Sequence, residues 1–163
     1  MVCQADGRAG FIPRWLGNFV SLTSDMAVNS TLVIGGAGYI GAHLVPMLVA
    51  SGRRVTVLGR SAAPQYKLPE GAVYVVGDFG RRDLIDGLLD LHQEVIHLAY
   101  ATLPNTSFEN PLADLLQNLP PTVQLFSAVA DRGGKLILVS SGGTVYGEAN
   151  QLPIREDHHT KPI

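Results

Sequence analysis

From Thr31 onward the chain alternates between two hydrophobic patterns. Short apolar, β-branched runs at Thr31–Gly35, Arg54–Leu58, Val73–Val76, Glu94–Leu98 and Lys135–Val139 predict five strands. Between them, apolar positions return at helical spacing over Tyr39–Ser51, Arg81–Asp90 and Pro111–Asp131. In the first of these helices the repeating positions are Ile40, Leu44, Leu48 and Val49, and Gly52 supplies the stop. Asn110-Pro111 reads as an N-cap followed by proline at the first helical position. Pro46 predicts a mild kink, and Pro120-Pro121 predicts a bend or a restart of the long helix. Strands that alternate with helices predict an α/β fold, a parallel sheet with both faces covered, because parallel strands need crossover connections. Right-handed crossovers and double winding give the five predicted strands the order 3-2-1-4-5. The ligand crevice then lies outside the carboxyl ends of the first and fourth strands.

The junction of the first strand and first helix carries the clearest chemistry. Gly35-Gly-Ala-Gly38-Tyr39-Ile40-Gly41 places three glycines three apart, between an apolar strand and an apolar helix. Gly35 lets the chain turn off the strand, Gly38 leaves room for phosphates, and Gly41 lets the helix pack closely. The unpaired N–H groups of the first helical turn, at the positive end of the helix dipole, then face an anion. In this context the turn reads as a dinucleotide pyrophosphate cradle, with a buried β-turn-α unit that binds nothing as the plain alternative. A P-loop is excluded, since Ala42 and His43 follow Gly41 where Lys and Ser/Thr are needed. A hydrolase elbow is excluded at Ser140 and Ser141, because Leu138 and Val139 occupy the glycine positions.

Composition narrows the partners. With 46% hydrophobic and 16% charged residues, 163 residues can bury the core of one domain. A net charge of −2 offers no basic footprint for nucleic acid, and no apolar stretch is long enough to span a membrane as a helix. The single cysteine, Cys3, excludes an intrachain disulfide and fits a cytoplasmic setting. The domain is expected over residues 30–163, with residues 1–29 a flexible extension. Phe11–Leu22 is interrupted by Pro13 and Arg14, so a signal peptide is not expected; a start at Met26 would put the first strand almost at the N-terminus. The opposing reading is an ordered arm packed through Phe11, Trp15 and Phe19. No repeat or low-complexity segment is present.

The strand ends add candidate contacts. An acidic residue for the adenosine ribose is expected about 20 residues past the glycines, yet Leu58-Gly59-Arg60-Ser61 stands there. A guanidinium can pair with a 2′-phosphate, which leans the cofactor toward NADP rather than NAD; the alternative is a solvated arginine with NAD held by other contacts. Asp78, after the third strand, suits either the adenine amino group or a cap for the helix near Arg81. Tyr100 follows the fourth strand at the crevice, where it lines the nicotinamide or sugar pocket or packs as an ordinary loop residue. His97, on a buried strand, reads as a core residue before a ligand, His158-His159 as a tail pair, and no metal site is expected.

These residues resemble the NAD-dependent epimerase/dehydratase group of the extended short-chain dehydrogenase/reductase family, which includes UDP-glucose 4-epimerase. The resemblance runs from Thr31 to Ile163 and implies a Rossmann-type sheet. It covers the glycine turn, Gly77-Asp78-Phe79 at the adenine, Val95-Ile-His-Leu98-Ala99 beside the cofactor, Asn118 with Thr122 on the long helix, and Ser140-Ser-Gly-Gly-Thr-Val-Tyr-Gly147. It implies cofactor contacts from Gly35, Gly38, Tyr39, Ile40, Gly41, Asp78, Phe79, Leu98, Ala99 and Asn118; Arg60 and Tyr100 join them by their places at the strand ends, and Gly59-Arg60 departs from the family's usual acidic residue. It further implies hydride transfer on a nucleotide sugar, and a homodimer. Family chemistry uses a Tyr-x-x-x-Lys pair; Tyr146 is not its tyrosine, because Asn150 stands where lysine is needed. Gly142 replaces the usual helper hydroxyl, leaving Ser141 or Thr144 as catalytic substitutes, and Ile34 replaces a common Thr. The sheet is expected to be truncated before the Tyr-x-x-x-Lys pair and the substrate domain. The chain is therefore expected to bind a dinucleotide and turn over nothing, and the alternative is a non-catalytic NAD(P)-sensing module.

Overall fold

The computed structural model describes residues 2–4, 29–100 and 104–162, with the side chains of 2–4, 104–106 and 144 excepted. Its strands are β1 (Val2–Gln4), β2 (Ser30–Ile34), β3 (Arg54–Gly59), β4 (Ala72–Val76), β5 (Glu94–His97) and β6 (Lys135–Leu138). Its helices are α1 (Tyr39–Ala50), α2 (Arg82–Leu89), α3 (Pro104–Glu109), α4 (Pro111–Asp131) and α5 (Gly142–Tyr146). All strands pair in parallel, in the order β1-β4-β3-β2-β5-β6. The five strands predicted from the hydrophobic pattern thus stand in the order 3-2-1-4-5. Val2–Gln4 adds a sixth strand beside Tyr74–Val76 that the pattern does not announce. Residues 5–28, including Phe11, Trp15, Phe19 and Met26, lie outside the described residues.

Alternate residues of the central strands feed two cores, as a pleated strand requires. On one face Leu32, Ile34, Leu58, Val75 and Val95 pack under Ile85, Leu88 and Leu89 of α2 and Leu125, Ala128 and Val129 of α4. On the other, Val33, Val55, Val57 and Tyr74 meet Val45, Leu48 and Val49 of α1, together with Tyr66 and Leu68 from the β3–β4 connection. The inward face of α1 is therefore Gly41, Val45 and Leu48; Ile40, expected in that set, is exposed. A residue as small as glycine carries no hydropathy signal, which displaced the expected stripe.

The long helix does not restart. α4 runs unbroken from Pro111 to Asp131, with the Asn110 side chain accepting from the Ala113 N–H as the cap. Pro120 and Pro121 deprive the carbonyls of Leu116 and Gln117 of their helical partners. Both of those residues are exposed, so water can supply the missing donors. α1 likewise continues through Pro46.

At the amino ends of the strands, Glu94 gathers Thr31, Arg53 and Lys135. This cluster ties β2, β5 and β6 together at the end of the sheet opposite to the glycine turn.

Two histidines, His97 buried and His92 half-buried, link stability to pH. His92 lies 2.7 Å from the Leu88 carbonyl through Nδ1 and 2.8 Å from the Thr56 hydroxyl through Nε2. The carbonyl can only accept, so Nδ1 carries the proton and Nε2 accepts from Thr56. His97 packs against Phe79 with ring centroids 4.9 Å apart and the rings tilted by 58°, as the core reading of this residue anticipates, and its Nδ1 has no partner among the described residues. Burial pushes both imidazoles below the ordinary histidine pKa, and Arg54 adds to the effect at His92. The unfolded chain therefore binds protons more readily than the folded one. The stabilisation is complete above the ordinary value of about 6.5 and is lost as pH falls below it, through the lowered folded values. We expect Tm to be flat above about pH 7 and to decline from there toward pH 5. His92→Gln, whose amide can make both bonds, should remove part of that decline. An unchanged slope in this variant would show that His92 is not its source.

Candidate functional site

The carboxyl ends of β2, β3, β4 and β5 enclose a hollow of about 330 Å³. Its walls come from the turn after β2 (Gly35, Ala37, Gly38), the end of β3 (Gly59, Arg60, Ser61), Gly77 and Phe79 after β4, and Leu98, Ala99 and Tyr100 after β5. A second hollow of similar size adjoins it, between Asp78, Gly80 and the exposed side of α4 at Gln117, Pro121 and Gln124. Arg60 borders both.

The glycine turn shows why each of its residues is small. Gly35 has φ +78°, and a Cβ on it would sit 2.7 Å from the Ala99 nitrogen, so both conformation and space demand glycine. Its own N–H donates to the Leu58 carbonyl at 2.8 Å, fixing the turn to β3. A Cβ on Gly41 would overlap the Gly36 carbonyl and lie 2.6 Å from the Gly36 Cα. Gly38 differs from both. Its backbone is extended, and a Cβ there would meet nothing closer than the Gly35 carbonyl at 3.8 Å. The fold itself does not need Gly38 to be glycine, and the residue lines the hollow.

The first turn of α1 contains no acidic residue, and its N-cap, Gly38, offers no side-chain acceptor. Its first N–H groups thus lack helical partners and a neutralising carboxylate, a surrounding that favours an anion.

Two tyrosines missed in the sequence brace this wall. The Tyr66 hydroxyl lies 2.8 Å from the Gly36 carbonyl and 3.0 Å from the Gly41 carbonyl, clasping the turn to the first turn of α1. The Tyr74 hydroxyl donates to the Ser61 carbonyl at 2.8 Å and anchors the loop that carries Arg60. A Cβ at Gly59 would lie 2.5 Å from that same hydroxyl, so Tyr74 and a side chain at position 59 exclude one another. Burial raises the pKa of both phenols, which keeps them as donors.

Gly35, Gly38, Arg60, Phe79, Leu98, Ala99 and Tyr100 thus share one hollow, and Asp78 faces the second. Asp78 does not cap α2, whose N-cap is Arg81; its carboxylate instead accepts from the Gly80 N–H at 2.7 Å. Tyr39 and Ile40 stand exposed on the first turn of α1, outside the hollow's lining. Asn118 is buried within α4, and Ser141 is the N-cap residue of α5. Thr144 falls inside α5, and its side chain lies outside the described residues. Among the described residues no three His, Cys, Asp or Glu side chains gather as a metal site, and no helix is long and apolar enough to cross a membrane.

Comparison with known proteins agrees with this geometry. The family described as the NAD dependent epimerase/dehydratase family matches residues 31–163. A UDP-glucose 4-epimerase of Azospirillum brasilense is 35% identical over 135 residues, covering 81% of this chain and 39% of its own length. A putative UDP-glucose 4-epimerase of Methanocaldococcus jannaschii is 33% identical, with 81% and 44% covered. Among solved structures, the UDP-glucose 4-epimerase of Thermus thermophilus in complex with NAD superposes with a TM-score of 0.71 at 30% identity, covering 82% of this chain and 44% of its own. An NAD-dependent NDP-hexosamine 5,6-dehydratase of tunicamycin biosynthesis gives 0.68 at 32% identity, with 82% and 44% covered. The chain spans about two fifths of the length of the relatives it matches.

Proposed function

The chain belongs to the NAD dependent epimerase/dehydratase family, and on that premise we propose that it is the dinucleotide-binding part of a nucleotide-sugar epimerase or dehydratase. The observation that carries the reading is Gly38, a glycine that the fold does not require, at the mouth of a hollow formed by four strand ends. In this reading the pyrophosphate lies over the β2 turn, where the first N–H groups of α1 meet it. Adenosine lies toward β3 and β4, with Asp78 accepting from the adenine amino group, and the nicotinamide half lies toward β5. A bound nicotinamide supplies the hydride acceptor and donor. The protein's share is to hold the two phosphates, fix the ring beside Leu98 and Ala99, and exclude water with Phe79 and the β5 end. Residues 1–163 contain no Tyr-x-x-x-Lys, so the 163-residue polypeptide is expected to bind dinucleotide without turnover. Outward on α4, Leu112, Leu115, Leu119, Val123 and Phe126 form an exposed apolar stripe, which supports a homodimer through that helix.

Arg60 directs the choice between cofactors. No carboxylate ends β3, and Tyr74 leaves no room for one at position 59. A guanidinium on the border of both hollows suits a 2′-phosphate, so NADP is the form proposed. Calorimetric titration of the 163-residue chain should show dinucleotide binding, tighter for NADP⁺ than for NAD⁺. Arg60→Ala should weaken NADP⁺ by roughly tenfold, the worth of one charge-assisted contact, with NAD⁺ changed less than about twofold. No binding of either would overturn the functional reading, whereas tighter NAD⁺ would overturn only the preference for NADP.

A further inference from the structure

Tyr100 lines the main hollow just beyond β5, yet 63% of it is exposed. So exposed a ring contributes little to the core, and nothing in packing alone would hold it in one place. Its hydroxyl is nevertheless tied. It donates to Oδ2 of Asp114 at 3.2 Å, in the first turn of α4. The other carboxylate oxygen, Oδ1, accepts from Asn118 Nδ2 at 3.0 Å, and the same Nδ2 donates to the Asp114 carbonyl at 2.8 Å. Asn118 is only 7% exposed, so it is set by the interior of the fold. Asp114 and Asn118 stand four apart on one helix face, which places them one above the other. A relay of three side chains thus runs from the buried side of α4 to the lip of the crevice. Desolvation and the neighbouring Asp114 charge raise the phenol's pKa, keeping it a donor.

The direction of the crevice says what the ring would cover. The β3 and β4 ends, with Arg60 and Asp78, lie on one side of the glycine turn, and the β5 end with Tyr100 lies on the other. With the pyrophosphate on the turn and adenosine toward β4, the nicotinamide riboside passes Tyr100. Asp114 is engaged by donors on both carboxylate oxygens, which fixes it as an anchor for the Tyr100 hydroxyl.

Resting on the dinucleotide reading above, we infer that Asp114 is a positioning residue that holds the Tyr100 ring as a cover over the nicotinamide-riboside half of the bound dinucleotide. A tethered ring loses less freedom on binding than a loose one, which is the source of the affinity it adds.

The test is calorimetric binding of NAD⁺ and of ADP, which lacks that half, to the 163-residue chain and its variants. Tyr100→Ala should weaken NAD⁺ by about tenfold, the scale of a lost aromatic stacking contact, and leave ADP within about twofold. Tyr100→Phe and Asp114→Ala should each weaken NAD⁺ by about three- to fivefold. Their double variant should be no weaker than either alone, because both cut one tether. Tyr100→Phe keeps the ring and its packing, so it carries the test even if Tyr100→Ala fails to fold. Equal losses for ADP and NAD⁺ would make the relay a general support of the fold and overturn the inference, as would unchanged NAD⁺ binding in every variant or additive single effects. A wild-type chain that binds neither ligand would instead overturn the dinucleotide reading, and the inference with it.

Discussion

Gly41→Ala is expected to lower the folding stability by about 3 kcal/mol or more, at or beyond the upper end of ordinary overpacking. For a chain of this length that is a fall in Tm of about 10 °C. On an open helix the same exchange would stabilise by up to about 1 kcal/mol, because alanine is the better helix former. Here sterics decide the sign. The new methyl would overlap the Gly36 carbonyl, a backbone group that cannot rotate aside. Gly36 cannot retreat toward the sheet either, since even a Cβ placed on it would come within 2.7 Å of Val33. The remaining escape is for α1 to lift away. That would uncover Val45 and Leu48 and pull the Gly36 and Gly41 carbonyls off the Tyr66 hydroxyl. Against a total stability of about 5–15 kcal/mol the cost is large. Gly87→Ala is the control, a helical glycine with nothing within 4 Å of its missing Cβ, and it should melt at or slightly above the wild-type temperature. Equal melting of wild type and Gly41→Ala would show that the helix does not depend on this close approach.

The contrast between these two glycines also marks what the sequence could reveal. The β2–turn–α1 unit was readable because strand, glycines and helix follow one another within a few residues, and local order carries their physics. Arg60, Phe79 and Leu98–Tyr100 were readable for a related reason: in a parallel sheet, whatever follows a strand's carboxyl end faces one common crevice. Tyr66 and Tyr74 were not readable. Their hydroxyls reach carbonyls 25 and 30, and 13, residues away, and a backbone carbonyl has no identity in a sequence. Asp114 was hidden differently, as an ordinary acidic residue in the first turn of a helix until Tyr100 is seen to reach it. The short helices α3 and α5 escaped because five or six residues are too few to show a period, and Gly142-Gly143 are poor helix formers. Of the two outcomes expected at Pro120-Pro121, a bend or a restart, the restart does not occur. Helix breaking by proline is a matter of unsatisfied carbonyls, and whether water can reach them depends on exposure that only the fold provides.

Gly38→Ala should do the reverse of Gly41→Ala, leaving the fold and removing the ligand. The residue is the N-cap of α1 with φ −93° and ψ −166°, backbone that alanine adopts without strain. Restricting the unfolded chain stabilises by about 0.4–1 kcal/mol, and exchanging a glycine N-cap for alanine costs a comparable amount. Tm should therefore stay within a few degrees of wild type. The methyl group would instead be added to a residue that lines the hollow at the start of α1, with no protein atom closer to it than 3.8 Å. Phosphates forced outward there would lose one or two hydrogen bonds to charged oxygens, each worth about 1.5–3 kcal/mol. At 1.4 kcal/mol per tenfold, dinucleotide affinity should fall by about ten- to a hundredfold or more. ADP should weaken along with NAD⁺, since the diphosphate is common to both. That separates the cradle from the Tyr100 cover, where only the longer ligand is affected. Full affinity in a folded Gly38→Ala variant would mean that the phosphates do not pass over this turn. A loss of melting temperature matching that of Gly41→Ala would mean that Gly38 serves the fold and not the ligand.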